Sequence, residues 1–207
     1  MIVLIVLLVI IGLLAAFLVS IYNKLVAYRE RGLNAFAQID VQLERRHDLI
    51  PNLVQTVKGY MAHEKDTLEA VLQARASATQ ARIEVNGDPQ NVAAMAKMAQ
   101  SEGALGGALG RLMAVAEAYP DLKANENMSQ LTEELTTTEN KISFARQNYN
   151  DQVRTYQEYK KTFPPVFIAN SFNFKDAAYL DLADDEKEHK RANIEVTFDD
   201  TDGPSVN

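Results

Sequence analysis

The sequence predicts an all-α membrane protein, in which an N-terminal transmembrane helix continues into an elongated antiparallel bundle of three long helices and a short C-terminal helical segment. Three observations predict it. The first 21 residues carry no charged side chain, and Ile2 to Ile21 are 18 apolar residues plus Gly12 and Ser20. Apolar residues beyond them recur at helical spacing. Gly and Pro fall mostly at a few punctuation points, and Trp and Cys are absent.

The apolar start comes first. At 1.5 Å per residue a helix over these 20 positions reaches about 30 Å, the thickness of a bilayer's hydrocarbon core. A cleaved signal would show a basic start, a shorter apolar stretch and a small-x-small exit. Here no Lys or Arg precedes the run, and Phe17-Leu18-Val19 follow Ala15-Ala16. The expectation is an uncleaved anchor over 1–21, a helical bundle over 22–182 and an acidic, partly disordered tail over 183–207.

Charge places the bundle. Lys24, Arg29 and Arg31, then Arg45 and Arg46, follow the anchor, so the positive-inside bias predicts an outer N-terminus and a cytoplasmic bundle. The net charge of −7 resides in the segment from Asp176 to Asp202, with ten acids against three bases. The remainder is balanced, which excludes the basic footprint of a nucleic-acid binder. With no Cys, a disulfide framework, a thiolate metal site and a lipidated cysteine are all excluded.

After the anchor, Phe36, Leu43, Ile50 and Val57 recur every seven residues, the repeat of a coiled coil, and so do Val54, Met61 and Leu68. The phase passes through Pro51. It predicts one continuous helix from Lys24 to about Glu84, kinked at the proline. Asn86-Gly87-Asp88-Pro89 predicts a stop and restart, with Gly87 in a left-handed exit, Asp88 as N-cap and Pro89 as first helical residue. A second helix follows to about Tyr119, ended by Pro120-Asp121. A third starts near Asn125, with Met128, Leu131, Leu135, Ile142, Tyr149, Val153 and Tyr156 along one face, and ends at Pro164-Pro165. Val166 to Leu182 predicts one short helix, Ile194 to Phe198 an extended segment, and Asp199 to Asn207 a disordered end.

Several long motifs resemble the LemA family. They are Tyr22-Asn23-x-Leu25-Val26, the run Ile39-Asp40-Val41-Gln42-Leu43-Glu44-Arg45-Arg46-His47-Asp48-Leu49-Ile50-Pro51-Asn52-Leu53-Val54, and Thr56-Val57-Lys58-Gly59-Tyr60 with His63-Glu64. Ala116-Glu117-Ala118-Tyr119-Pro120-Asp121-Leu122-Lys123-Ala124-Asn125 belongs with them, as do Glu139-Asn140-Lys141-Ile142, Arg146 and Tyr149-Asn150. The resemblance spans about Tyr22 to Leu182. It implies a bacterial inner-membrane protein with a short anchor and a helical domain, in a family that includes a magnetosome membrane protein. No agreed biochemical activity comes with it.

Chemistry-bearing patterns are few. Glu44/His47 and Glu186/His189 are Glu-x-x-His pairs of the kind that ferritin-like bundles use for metals. The first pair sits beside Arg45-Arg46, unfavourable for a cation, and the second lacks an apolar face to bury it. His63-Glu64 has no nucleophile placed beside it, and no phosphate loop or H-E-x-x-H motif occurs. No cofactor, metal or catalytic activity is expected. Arg45-Arg46 and His47-Asp48 read as charges on a helix face, either solvated or gathered into a recognition patch.

Four glycines, Gly103, Gly106, Gly107 and Gly110, lie within one helix and form two strips of spacing four. They serve either close packing inside the bundle or a flat surface for another protomer. The first helix is predicted to outreach the two that follow it. Leu25, Val26, Leu33 and Phe36 near the membrane are then left without intrachain cover and would form a strip between copies. The leading functional expectation is a membrane-anchored scaffold that homo-oligomerises, in membrane organisation or remodelling. The other is an adaptor for an unknown protein partner such as a membrane protease.

Overall fold

A computed structural model describes residues 1–61 and 63–180, and every described element is helical. Helix α1 runs over Ile2–Lys58, α2 over Lys65–Gly87, α3 over Val92–Ala116, α4 over Pro120–Lys123, α5 over Glu126–Lys161 and α6 over Pro165–Ser171. The expectations for 183–207, Glu186/His189 and Ile194 to Phe198 among them, lie outside the described residues.

Helix α1 has two regimes because its composition does. From Ile2 to Ser20 every side chain is exposed, since no other element among the described residues reaches that stretch. It is the one helix among the described residues long and apolar enough to cross a membrane. From Ile21 the helix becomes one-sided, burying Leu25, Phe36, Ile39, Leu43, Ile50, Leu53 and Val57 at steps of mostly three and four. That spacing keeps one face toward the bundle.

The predicted continuous helix to Glu84 is corrected. Helix α1 does pass through Pro51, but it ends at Lys58 and α2 folds back along it. Asp40 pairs with Arg82 at 2.8 Å, and Thr79 lies 3.2 Å from His47, so rising numbers in α2 meet falling numbers in α1. Periodicity misled here for a physical reason. Val54, Met61 and Leu68 stay buried in one core across the reversal, so the seven-residue phase persists although the helix does not. The turn lacks Pro and Asn, and Gly59 caps α1 in ordinary right-handed geometry.

Helices α2 and α3 form an antiparallel pair, fastened at Glu84–Lys97 by a 2.6 Å ion pair. The stop at Gly87 holds, but the restart differs from expectation. Asn91, not Asp88, caps α3, accepting hydrogen bonds from the backbone N–H of Ala93 and Ala94 at 3.0 and 3.1 Å. Pro89 sits in the turn, and no glycine among the described residues has positive φ. Helix α5 starts where the sequence predicts, and Asn125 caps it, accepting from the Met128 N–H at 3.1 Å.

Helix α5 lies antiparallel on α1 along most of the bundle: Tyr28 meets Tyr159, Phe36 meets Tyr149, and Arg46 meets Glu139. Helices α1, α2, α3 and α5 thus make the bundle, with α4 a single turn at the far end. At that end Asn125 donates to the Tyr60 hydroxyl at 3.0 Å and the Tyr119 hydroxyl donates to Glu64 at 3.3 Å. Two of the long motifs are therefore the two halves of one corner.

Beyond α6 the chain runs back along α5 without helix, in place of the single helix predicted to Leu182. Hydrogen bonds from α5 side chains hold it. The Tyr156 and Tyr149 hydroxyls donate to the carbonyls of Lys175 and Ala178, both at 2.8 Å, and Gln157 donates to that of Ala177 at 2.6 Å. Asn150 grips Leu180 at both its N–H and its C=O. This explains why Tyr149-Asn150 stands out as a motif. Leu180 then buries against the core of the α1–α3 and α5 faces.

Candidate functional site

Two places stand out in the bundle: a buried polar centre and an open seam beside it. The polar centre begins with Arg46-His47 on α1, which the stripe's phase turns inward one turn before Ile50. Arg46 is 2% exposed and His47 3%. The Arg46 guanidinium contacts the Glu102 carboxylate on α3, and its Nη1 lies 2.6 Å from Glu139 on α5. His47 Nε2 lies 2.9 Å from the other Glu102 oxygen, and His47 Nδ1 faces the Thr79 hydroxyl on α2. One cluster thereby ties all four long helices together.

The charges in this centre are mutually compensated. Burial by itself would raise the Glu102 carboxyl, but His47 Nε2 at 2.9 Å and the charge of Arg46 outweigh it and hold the group below the ordinary carboxylate value. Burial likewise opposes charge on Arg46, yet Glu102 and Glu139 leave its pKa raised. The expected solvated or recognition role for Arg46 and His47 is therefore replaced by a structural one. Arg45 and Asp48 stay on the surface, with Arg45 3.5 Å from Glu134.

Pro51 contributes to the same centre. A proline has no N–H to give the carbonyl four residues back, and that carbonyl belongs to His47. Arg75 on α2 donates its Nε–H to it at 2.6 Å. The proline thus opens a backbone acceptor through which α2 is fastened to α1.

Glu44 and His47, the first Glu-x-x-His pair of the sequence, turn to different partners. His47 is committed to Glu102, while the exposed Glu44 carboxylate lies 3.7 Å from Arg82. No three His, Asp or Glu converge as metal ligands among the described residues. Glu64 accepts from Tyr119 at the far corner.

The expected membrane-proximal strip is also corrected. Leu25 is fully buried and Phe36 is 3% exposed, and Val26 and Leu33 are half-buried. Tyr156, Ala169 and Phe174 cover Leu25, and Tyr149 stacks edge-on against Phe36 at 5.9 Å. The reach estimate failed because α5, at 36 residues, extends back almost to the membrane span and α6 packs beyond it.

The glycines behave in the opposite way. Gly103 is half-buried, but Gly106, Gly107 and Gly110 lie on the surface, where an added Cβ would meet nothing within 4 Å. Close packing inside the bundle therefore does not explain these three. Gly106 and Gly110 border a groove of about 370 Å³ between α3 and α5, with Leu109 and Met113 on one wall and Thr132, Leu135 and Thr136 on the other. Arg46 and Glu139 close its inner end, and a further groove of about 530 Å³ continues past Met113 toward Met128.

These features define a class: a helical bundle on an apolar anchor, locked by a buried ionic centre and carrying a long surface groove. The chain belongs to the LemA family, whose pattern it matches over residues 35–198. The match starts later and ends later than the 22–182 read from the motifs. Among curated relatives it is 27% identical over 177 residues to "Magnetosome protein MamQ 2" and "Magnetosome protein MamQ 1" of Paramagnetospirillum magneticum, covering 77% of this chain. It is 25% identical over 188 residues to "Magnetosome protein MamQ" of Magnetospirillum gryphiswaldense, covering 81% of this chain and 68% of that protein. The matched region spans 64% of the length of the first two relatives.

Proposed function

We propose that the chain is a membrane-anchored helical scaffold whose copies associate along the groove between α3 and α5, with no catalytic step of its own. The observation that supports this reading is the unpacked glycine run. A glycine inside a helix costs about 1 kcal/mol relative to alanine, and at Gly106, Gly107 and Gly110 the chain's own fold leaves open space where an alanine methyl would fit. A second backbone approaching closely would use that space, and spacing by four aligns Gly106 with Gly110 on one face. The groove's apolar walls, Leu109, Met113 and Leu135, supply area to bury. Organising or remodelling a membrane is the narrower form of the same reading.

Mass measurement on gently solubilised full-length protein tests it. The expected result is a homo-oligomer that Gly106→Leu with Gly110→Leu converts to monomer while helicity is retained, since neither new side chain meets the core. A strict monomer across a wide concentration range overturns the proposal.

A second reading, an adaptor for a partner enzyme such as a membrane protease, draws support from a different face. Phe144 on α5 is 74% exposed and Val41 on α1 59% exposed, and both border an open depression with Gln38, Lys141 and Asn148. A monomer whose Phe144→Ser variant keeps its fold but loses a co-purifying membrane enzyme would favour that reading.

A further inference from the structure

The apolar span ends at Ile21, and the chain's last described helix returns to that same level. Ile21 and Leu25 pack with Ala169 of α6 and with Phe174 just after it. Tyr22, the first residue past the span, stacks edge-on with Phe172 at 4.9 Å and with Phe174 at 5.6 Å. Whatever surrounds the end of the span therefore also surrounds α6.

The outward side of this elbow is aromatic. Phe163 is 80% exposed, Phe167 62% and Phe172 61%. Phe163 and Phe167 stack on each other at 5.8 Å, and among the described residues no other ring stacks on them. Three exposed phenylalanines within ten residues would be a liability in water. Around them lie bases with long stems: Lys24, held over the Tyr159 ring at 5.3 Å, Lys160, paired with Asp176 at 2.9 Å, and the exposed Lys161 and Lys175. Aromatic rings flanked by lysines match the boundary between acyl chains and headgroups, where a ring sits at the interface and an ammonium reaches phosphate.

We propose that the α5–α6 elbow, through Phe163, Phe167 and Phe172, inserts into the interfacial layer of the bilayer that α1 enters, as a second membrane attachment. The occupant of this apolar patch is lipid because the patch is continuous with the lipid-facing surface of the span through the Tyr22–Phe172 contact. One helix alone leaves a bundle free to tilt and swivel about its exit point. A second foot beside it fixes which faces of the bundle stand clear of the membrane.

The absence of native Trp makes the test direct. Full-length protein carrying Phe163→Trp, Phe167→Trp or Phe172→Trp is reconstituted in vesicles of phosphatidylcholine and phosphatidylglycerol, with Phe144→Trp as the remote control. Each elbow variant is expected to emit at blue-shifted wavelength, losing about half its intensity to lipids brominated on the upper acyl carbons, as a ring at the interface does. The control is expected to emit as in water, without quenching. Water-like, unquenched emission from all three elbow positions overturns the proposal. So does a blue shift that grows with protein-to-lipid ratio and ignores bromine, which would show a second copy covering the patch.

Discussion

Glu102 is the single acid shared by Arg46 and His47, and it is 2% exposed itself. Glu102→Ala leaves a buried guanidinium with only Glu139 and removes the imidazole's carboxylate. Breaking a buried pair on one side costs about 3–5 kcal/mol, whereas replacing both partners by apolar groups of similar volume can be near neutral. The expected outcome is a large loss of unfolding free energy for Glu102→Ala and a much smaller one for Arg46→Met with Glu102→Leu, read by urea titration of helicity in detergent. The pH dependence follows from signs. The folded pKa of Glu102 lies below its ordinary 4.5, so its contribution is complete above that value and is lost as pH falls through the depressed folded one. Burial pushes Tyr149 up from 10.0 to about 12, so its contribution is complete below 10.0 and lost as pH rises toward 12. Thermal midpoints across pH should therefore stay flat with respect to these two groups near neutrality and fall at both ends.

At the scale of elements, the junction of α1 and α2 turns on Pro51. A proline inside a helix ordinarily costs about 3 kcal/mol, part of it an orphaned carbonyl. Here Arg75 occupies the His47 carbonyl, so that part is already recovered. Pro51→Ala is expected to raise stability by less than about 1 kcal/mol, since the new N–H competes for an acceptor in use. Arg75→Ala should cost more in the proline background than in the alanine background, and a double-mutant cycle measures the difference. Additive single changes would show that the proline and the arginine act separately.

At the scale of the whole molecule, the apolar span and the first helix of the bundle are one helix, α1, so the charges that follow the span bear on which side of a membrane the bundle stands. Lys24, Arg29 and Arg31 follow the span. We propose that the bundle is cytoplasmic. A reporter fused after Asn207 is expected to be active in the cytoplasm and silent outside. Replacing the three bases by alanine should weaken the preference, and activity confined to the outer side refutes the assignment.

By itself the sequence determined the apolar stretch long enough to cross a membrane, the all-helical class, the helix start near Asn125 and the stop at Gly87, and the family. These are local or compositional properties: an uncharged 20-residue run, a helical period, a side chain that caps its own backbone. Only the tertiary structure decided where the first helix reverses, because residues on both sides of the turn face one core and share one phase. It also decided that Arg46 is a buried tie, since its partners lie 56 and 93 residues away and nothing near it in sequence announces them. The cover over Leu25 and Phe36, and the bareness of Gly106 to Gly110, were decided in the same way. A period tells which residues share a face, but what that face meets depends on how far the other helices reach.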